Sequence, residues 1–419
     1  MKKFLLPLVL VIVTGQIFAV NELYCTPTGA GFADGSSFSN AATPTGIMNL
    51  LAAGPNVSGD VKIHFGRGHY YFDFHFLSSN IQTTITSISL YGGFHESINF
   101  IFDSSDYINR DFYADETVFH SQTDPLIIYY CPWLTNATNV IDGITFVSDN
   151  SMFVAAMELY NGDHLISHCR IKDYKTTTPL LWLENGNSYK CILNSVIEDN
   201  TASCLLSAYC DLDIVNTTIA DNIFYDDLIY ENLSHHTYTI FNSIIWGCMN
   251  YSMASINRYV HVANSIVEHY DSSWMGDDGY NFWNVDPQFS YTYPDPHTCC
   301  TTSVALDNGY DGYLTALSFG LNTAYPYAYY EFNMHPRFFE DIFSVSSPWM
   351  VDIGAYQHFY KYQDSYYYPT QSAPRRQYQN EEEQASLESD RILPYNILGQ
   401  PVDDTYHGIV IRNGQKVLQ

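Results

Sequence analysis

The chain has 419 residues, and its 17 Lys and Arg stand against 45 Asp and Glu for a formal charge of −28. Such a surface excludes nucleic acid and anionic membranes as partners, since both are repelled at long range, and disfavours a polyuronate unless a divalent cation bridges. Aromatic residues make up 16% of the chain, more than a narrow barrel holds, so some of them face solvent.

Residues 1–19 read as a secretory signal peptide. Lys2 and Lys3 open it, the apolar run from Phe4 to Val13 is too short to span a bilayer, and cleavage falls after Ala19. Bulky Tyr24 before Cys25 argues against a lipoprotein site. No later segment has transmembrane character, so the mature chain is expected to be exported to the outer surface or the medium.

Residues 24–94 read as a cap and first coils. TGIMNLLAAG, 45–54, is a short helix ending at Gly54. In HYYFDFHF, residues His69, Tyr71, Asp73 and His75 alternate with aromatic residues, which predicts one strand of period two. The stretch from His95 to Asn136 is less regular and reads as looser coils.

From 137 to 270 the chain repeats. IDGITF, ISHCRI, ILNSVI, IVNTTI, IFNSII and VANSIV share one register, with Gly143, His168, Asn194, Asn216, Asn242 and Asn264 at its centre and spacings of 25, 26, 22, 26 and 22 residues. An Ile or Val stands two residues before each centre, and an Ile, Val or Phe three after. The runs are short, β-branched and separated by turn residues, so they read as strands and turns. Units too short to bury an apolar face alone must stack as a solenoid. The predicted fold is all-β, with parallel coils about 4.8 Å apart and the asparagines in one column. Asn suits that column in two ways: it tolerates turn conformations, and stacked amides can bond one another. Small residues follow most centres (Cys169, Ser195, Thr217, Ser243, Ser265) and suit a tight corner.

Beyond Val267 the repeat decays into a Trp- and Tyr-rich region, Trp274 to Tyr356, as expected of a capping end. Residues 359–391 are low-complexity and read as a linker. Residues 392–419 read as two short strands, with turns at Pro401–Asp404 and Asn413-Gly414. The solenoid body is therefore 20–358. All nine cysteines lie in it, and their odd number and spacings fit neither a complete disulfide set nor a zinc module; Cys169 and Cys191 read as isolated buried thiols.

Three segments carry a resemblance. LYCTPTGAGFADGSSFSNAATPTGIMNLLAAG, then VKIHFGRGHYY and SLYGGF, resembles the opening of exported bacterial members of the pectate-lyase-like superfamily, which are right-handed parallel β-helices. NVDPQF (284–289) and VDIGAYQ (351–357) resemble the closing coils of the same group, although Gln357 replaces the usual acidic residue and the SPAIDAG-like phrase between them is degraded. YNILGQPVDDTYHGIVIRNGQKVL resembles the C-terminal sorting signal of the type IX secretion pathway, which would make the secretion machinery a partner of the tail. The resemblance implies a single-stranded right-handed parallel β-helix with capped ends. It implies no particular activity, because the superfamily holds lyases, hydrolases, adhesins and stalks.

The search for chemistry yields only weak candidates. RIK, 170–172, offers Arg170 as a base, but a polygalacturonase-like set requires acidic pairs before it, whereas Asp226 and Asp227 follow. Asp221, Asp226 and Glu231 are candidates for an acid/base pair. His69, Asp73 and His75 are a candidate metal face, though neighbours on one strand face stand about 7 Å apart. Asp277, Asp278 and Asp286 are a candidate calcium site with no EF-hand spacing. No cofactor motif is present; calcium is the one ion the sequence suggests. The expected function is non-catalytic binding of neutral glycans or cell-surface components. The alternatives are a polysaccharide lyase or glycoside hydrolase of the same fold, and an inert spacer.

Overall fold

A computed structural model of the chain describes residues 20–54, 56–95, most of 110–305, 353–355 and, near the C-terminus, 395–396, 409–412 and 415–418. The chain divides into two compact units, Met1–His358 and Phe359–Gln419. The signal-like segment 1–19 and the linker 359–391 lie outside the described residues.

The larger unit is a parallel β-solenoid, the fold class that the repeat predicts. Among the described residues its strands form three main parallel sheets of ten, nine and six strands, and a two-stranded parallel sheet pairs Thr201–Ala202 with Ile223–Phe224. The chain visits them in a fixed cycle. One coil runs through Asp163–Ser167 on the first sheet, Arg170–Lys172 on the second and Leu181–Leu183 on the third, then returns to the first at Tyr189–Leu193.

The repeat's apolar positions build the core. Ile141, Ile166, Ile192, Ile214, Ile240 and Val262 stand in unbroken register on the first sheet. Phe146, Ile171, Ile197, Ile219, Ile245 and Val267 do so on the second. All twelve are buried in one continuous cluster. Each side chain removed from water contributes about 1.5–3 kcal/mol, and because every coil repeats the column, no strand edge inside the body is left bare. The helix Pro44–Ala53 forms where predicted: the Thr43 hydroxyl accepts from Gly46 N at 3.1 Å, and Ile47 and Leu51 join the same core.

The centres of the repeat form the corner between first and second sheets. Gly143, His168, Asn194, Asn216, Asn242 and Asn264 all have φ between 47° and 69°, a left-handed conformation that Gly and Asn adopt most readily. Their backbone N–H groups bond to the next coil, as in Asn194 N to Val215 O (3.1 Å) and Asn216 N to Phe241 O (3.0 Å). The Asn216 amide itself finds no hydrogen-bond partner among the described residues. Among the centres, Asn194 Nδ2 lies 3.4 Å from His168 Nε2, and a further ladder runs through the residue after each centre. Thr217 N donates to Ser243 Oγ at 3.2 Å, Ser243 N to Ser265 Oγ at 3.1 Å, and Cys169 N to Ser195 Oγ at 3.2 Å.

An amide ladder also stands at the corner between second and third sheets. There Asp173, Asp199 and Asp221 take the left-handed conformation, with φ of 63°, 55° and 54°. Asn200 and Asn222 follow two of them. Asn222 Oδ1 accepts from Asn200 N (3.0 Å) and Nδ2 (2.9 Å), while Asn222 Nδ2 donates to Ile197 O (2.9 Å) and Ala220 O (2.8 Å).

A polar column also runs inside the first sheet. Asn139, His164 and Lys190 are in register and two residues before the buried isoleucines, so they point inward. Lys190 donates to Gly162 O and lies 2.9 Å from His164 Nδ1. The same Nδ1 lies 3.1 Å from Gly162 O, so Lys190 and that carbonyl share one imidazole nitrogen. Burial lowers the Lys190 pKa to about 8 and, with the Lys190 charge beside it, holds His164 well below its usual range.

The single strand predicted across HYYFDFHF is two. Gly68–Tyr70 lies on the second sheet and Phe74–Leu77 on the third, with a corner between them. His69 therefore meets His120 (2.7 Å), whereas His75 donates to Pro125 O at 3.0 Å; these residues do not make one metal face. The eight described cysteines are buried, and Cys300 lies outside the described residues.

The smaller unit contains a three-stranded antiparallel sheet, Tyr395–Asn396, Ile409–Arg412 and Gln415–Leu418, one strand more than predicted. No helix among the described residues is long and apolar enough to cross a membrane.

Candidate functional site

Two outer faces of the solenoid carry chemistry-bearing side chains. On the second sheet the closing part of the chain packs against Ala220, Ile244 and Ile266 through Phe289, Cys299, Ala305 and Ile353. Residues 353–355 of the VDIGAYQ phrase are held there through their backbone N–H groups. Gly354 N donates to Asn242 O (2.7 Å) and Ala355 N to Thr218 Oγ1 (3.0 Å). Gly354 has φ +100°, and a Cβ there would stand 2.8 Å from Ile244 Cδ1 and 2.9 Å from Thr218 Oγ1, so a glycine is required.

Beside this patch, Arg170 and Glu198 form an ion pair on adjacent coils. His297 arrives from the closing segment between two carboxylates: Nδ1 donates to Glu198 Oε2 at 2.5 Å and Nε2 to Asp221 Oδ2 at 3.0 Å. Both ring nitrogens face carboxylate oxygens, so the ring is an imidazolium. Burial opposes that charge, but the hydrogen bonds from Asp221 and Glu198 outweigh it and raise the His297 pKa to about 9. Burial likewise works against the Glu198 carboxylate, yet His297 and Arg170 hold it below its usual range. Asp199 is pushed up, by burial first and then by Glu198.

Arg170 and Asp221, separate candidates in the sequence, are thus joined through a histidine that sequence reasoning did not select. The arrangement is poor acid/base machinery. The imidazolium does not serve as a base near neutrality, Glu198 has no proton to give, and Arg170 is occupied as a cation. Its geometry is that of a clasp holding the closing segment to the sheet. Asp226 is exposed at the turn where its N–H donates to Ser203 O at 2.7 Å, and Asp227 is buried; neither joins the cluster. Asp286 accepts from Gln288 N at 2.7 Å in a local turn, Asp277 ends the strand Met275–Asp277, and Asp278 and Glu231 lie outside the described residues. Among the described residues no three His, Cys, Asp or Glu side chains are grouped to hold a metal ion.

The outer face of the third sheet is different. Its strands Ile127–Tyr130, Met157–Leu159, Leu181–Leu183, Leu206–Ala208 and Ile229–Tyr230 are in parallel register. Met157, Leu159, Leu181, Leu183, Leu206 and Ile229 point into the core. The alternate positions point out. One column reads Ile128, Glu158, Trp182, Ser207 and Tyr230. The other, at and just beyond the strand ends, reads Tyr130, Tyr160, Glu184 and Tyr209. Tyr130 is 50% and Tyr230 40% exposed, and Tyr160, Trp182, Glu184 and Tyr209 are half-buried. Neighbouring rings brace one another: Tyr130 and Tyr160 meet edge to face at 5.3 Å. Tyr160 donates to Glu158 Oε2 at 3.0 Å, and Trp182 Nε1 donates to Glu184. Burial, followed by the Glu158 charge, raises the Tyr160 hydroxyl pKa above its usual range. The Tyr130 and Tyr160 rings stand one coil apart along the solenoid axis, Glu184 separates Tyr160 from Tyr209 in the same column, and Glu158 neighbours Trp182 in the other.

The sequence signal for this strip is faint. Its strands are two to four residues long, and the column from Tyr130 to Tyr160, Glu184 and Tyr209 is spaced unevenly at 30, 24 and 25 residues. Compared with protein-family models, curated proteins and solved structures, the chain matches none of them.

Proposed function

We propose that this chain is an exported β-helix of the pectate-lyase-like kind that binds glycans or cell-surface components without transforming them. The third-sheet strip is the observation that carries the reading. A line of exposed and half-buried Tyr and Trp rings suits sugar rings, which stack by their apolar faces and need no positive charge from the protein. The clasp on the second sheet supports the non-catalytic side of the proposal, because its charged groups are committed to one another. The resemblance of the last 28 residues to a sorting signal supports surface delivery through the type IX pathway.

The test is a glycan array probed with residues 20–419, with a reducing-end release assay alongside. Binding without release is expected, and Tyr160→Ala with Trp182→Ala should abolish it while the thermal midpoint holds. Pectate and alginate should yield no unsaturated product, with or without calcium. Calcium-dependent product on polygalacturonate that Arg170→Ala removes would overturn the proposal in favour of a lyase.

A further inference from the structure

The third-sheet strip departs from a surface built for uncharged sugars in one respect: two of its central rings have spent their polar groups on the protein's own carboxylates. Trp182 Nε1–H is bound to Glu184 and the Tyr160 hydroxyl to Glu158. Neither donor is left for a sugar oxygen. A ring whose N–H or O–H donates to an anion is richer in π density, and its face attracts cations more strongly.

Each carboxylate uses one oxygen in this way. Glu158 Oε1 and Glu184 Oε2 have no hydrogen-bond partner among the described residues. They stand on adjacent coils in different columns, about 4.8 Å apart along the axis and about 7 Å apart along the strand, so that ring and half-satisfied carboxylate alternate in a pattern across the two coils. A primary ammonium brings three donors and a positive charge to that pattern. The formal charge of −28 draws such a ligand from a distance.

Resting on the glycan-binding reading above, we propose that the third-sheet face takes a linear glycan bearing free amino groups. The rings hold the sugar faces and the ammonium groups, and Glu158 and Glu184 pair with amines on successive units.

The experiment titrates residues 20–419 calorimetrically with a β-1,4-linked glucosamine hexamer, its fully N-acetylated counterpart and a neutral β-glucan hexamer, in mildly acidic buffer where the amines are protonated. The glucosamine hexamer is expected to bind about tenfold more tightly than the acetylated one, with the gap narrowing as salt rises. The Glu158→Gln, Glu184→Gln double variant should close the gap with its thermal midpoint unchanged. Equal affinity for the two hexamers would overturn the amine preference. A gap that survives the double variant would overturn the assignment to this face, since diffuse attraction to an acidic surface would then explain it. Binding of the neutral hexamer alone, lost in Trp182→Ala, would sink the amine preference and leave glycan binding standing; no binding of any of the three would sink both.

Discussion

At the corner leading into the second sheet, asparagines hold a left-handed backbone and Asn216 leaves its amide without a partner. At the corner leading out of it, aspartates take the left-handed position, and Asn200 and Asn222 stack their amides up the axis. Each corner is also pinned by an Arg–carboxylate–His cluster. At the first, Asp142 binds Arg110 (2.6 Å) and His168 (2.9 Å), and Arg110 lies over the Phe94 and Phe112 rings. At the second, Glu198 binds Arg170 and His297. The difference teaches that a residue type repeated in a column does not reveal which of its atoms the column uses. At Asn216 the column uses the backbone, whereas at Asn222 it uses the side chain.

The largest effects should come from the pins. Asp142 is fully buried and the Arg110 side chain is 1% exposed. Burial raises the Asp142 carboxyl, but Arg110 and His168 pull it below its usual range. Asp142→Ala strands the Arg110 charge and should cost about 3–5 kcal/mol. Glu198→Ala should cost less, because Asp221 still serves His297 and the Arg170 side chain is 11% exposed. Urea midpoints for the two variants check this. Equal losses would mean that the pins are secured alike after all.

Next comes the amide ladder. Asn222→Leu removes the acceptor for Asn200 N and the donor to Ile197 O and Ala220 O, so a loss of about 2–3 kcal/mol is expected. A midpoint within error of the parent would show the ladder to be dispensable.

The second pin also predicts a pH dependence. The His297 pKa is about 9 in the folded chain against 6.5 for the free group. The folded state binds more protons between those values, so this stabilisation is complete below pH 6.5 and is lost as pH rises through 9. Glu198, Asp221, Arg170 and Asp199 are the charged groups around the ring. Lys190 acts in the opposite sense above its folded pKa of about 8, because its free value of 10.5 lets the unfolded chain hold the proton longer. The clean window is therefore pH 6.5 to 8. Stability should fall there by less than about 2 kcal/mol, and His297→Gln should flatten the slope. An unchanged slope in that variant would place the titrating group elsewhere.

Much of this fold was legible because a solenoid repeats its physics. Ile141 to Val262 and Phe146 to Val267 announce two core columns by spacing alone, and TGIMNLLAAG, closed by Gly54, marks a helix of the right length. The failures have causes of equal clarity. HYYFDFHF alternates straight through a corner, because Tyr71 and Asp73 continue the period of two after the strand has ended at Tyr70. His297 meets Glu198 across 99 residues of chain, from a segment that carries no repeat, so no local pattern could pair them. The third-sheet strip depends on registers set by pairing between coils of unequal length. The Asp-Asn phrases at 199–200 and 221–222 were visible, but a column of turn residues looks the same whether backbone or amide matters.

The smallest effect separates those two roles at Asn216. Leucine there keeps the volume of a buried side chain but must adopt φ 47°, which costs about 1–2 kcal/mol for an ordinary L-residue. No hydrogen bond is lost in addition, since the Asn216 amide makes none among the described residues. Glycine removes the amide and accepts the backbone freely, so Asn216→Gly should fall within about 0.5 kcal/mol of the parent. Gly143 already occupies the same column at φ 69°. The ordering glycine near parent, leucine below it, is the signature of a backbone role. If glycine instead costs as much as Asn222→Leu does at the other corner, the amide matters at both, and the contrast between the corners is lost.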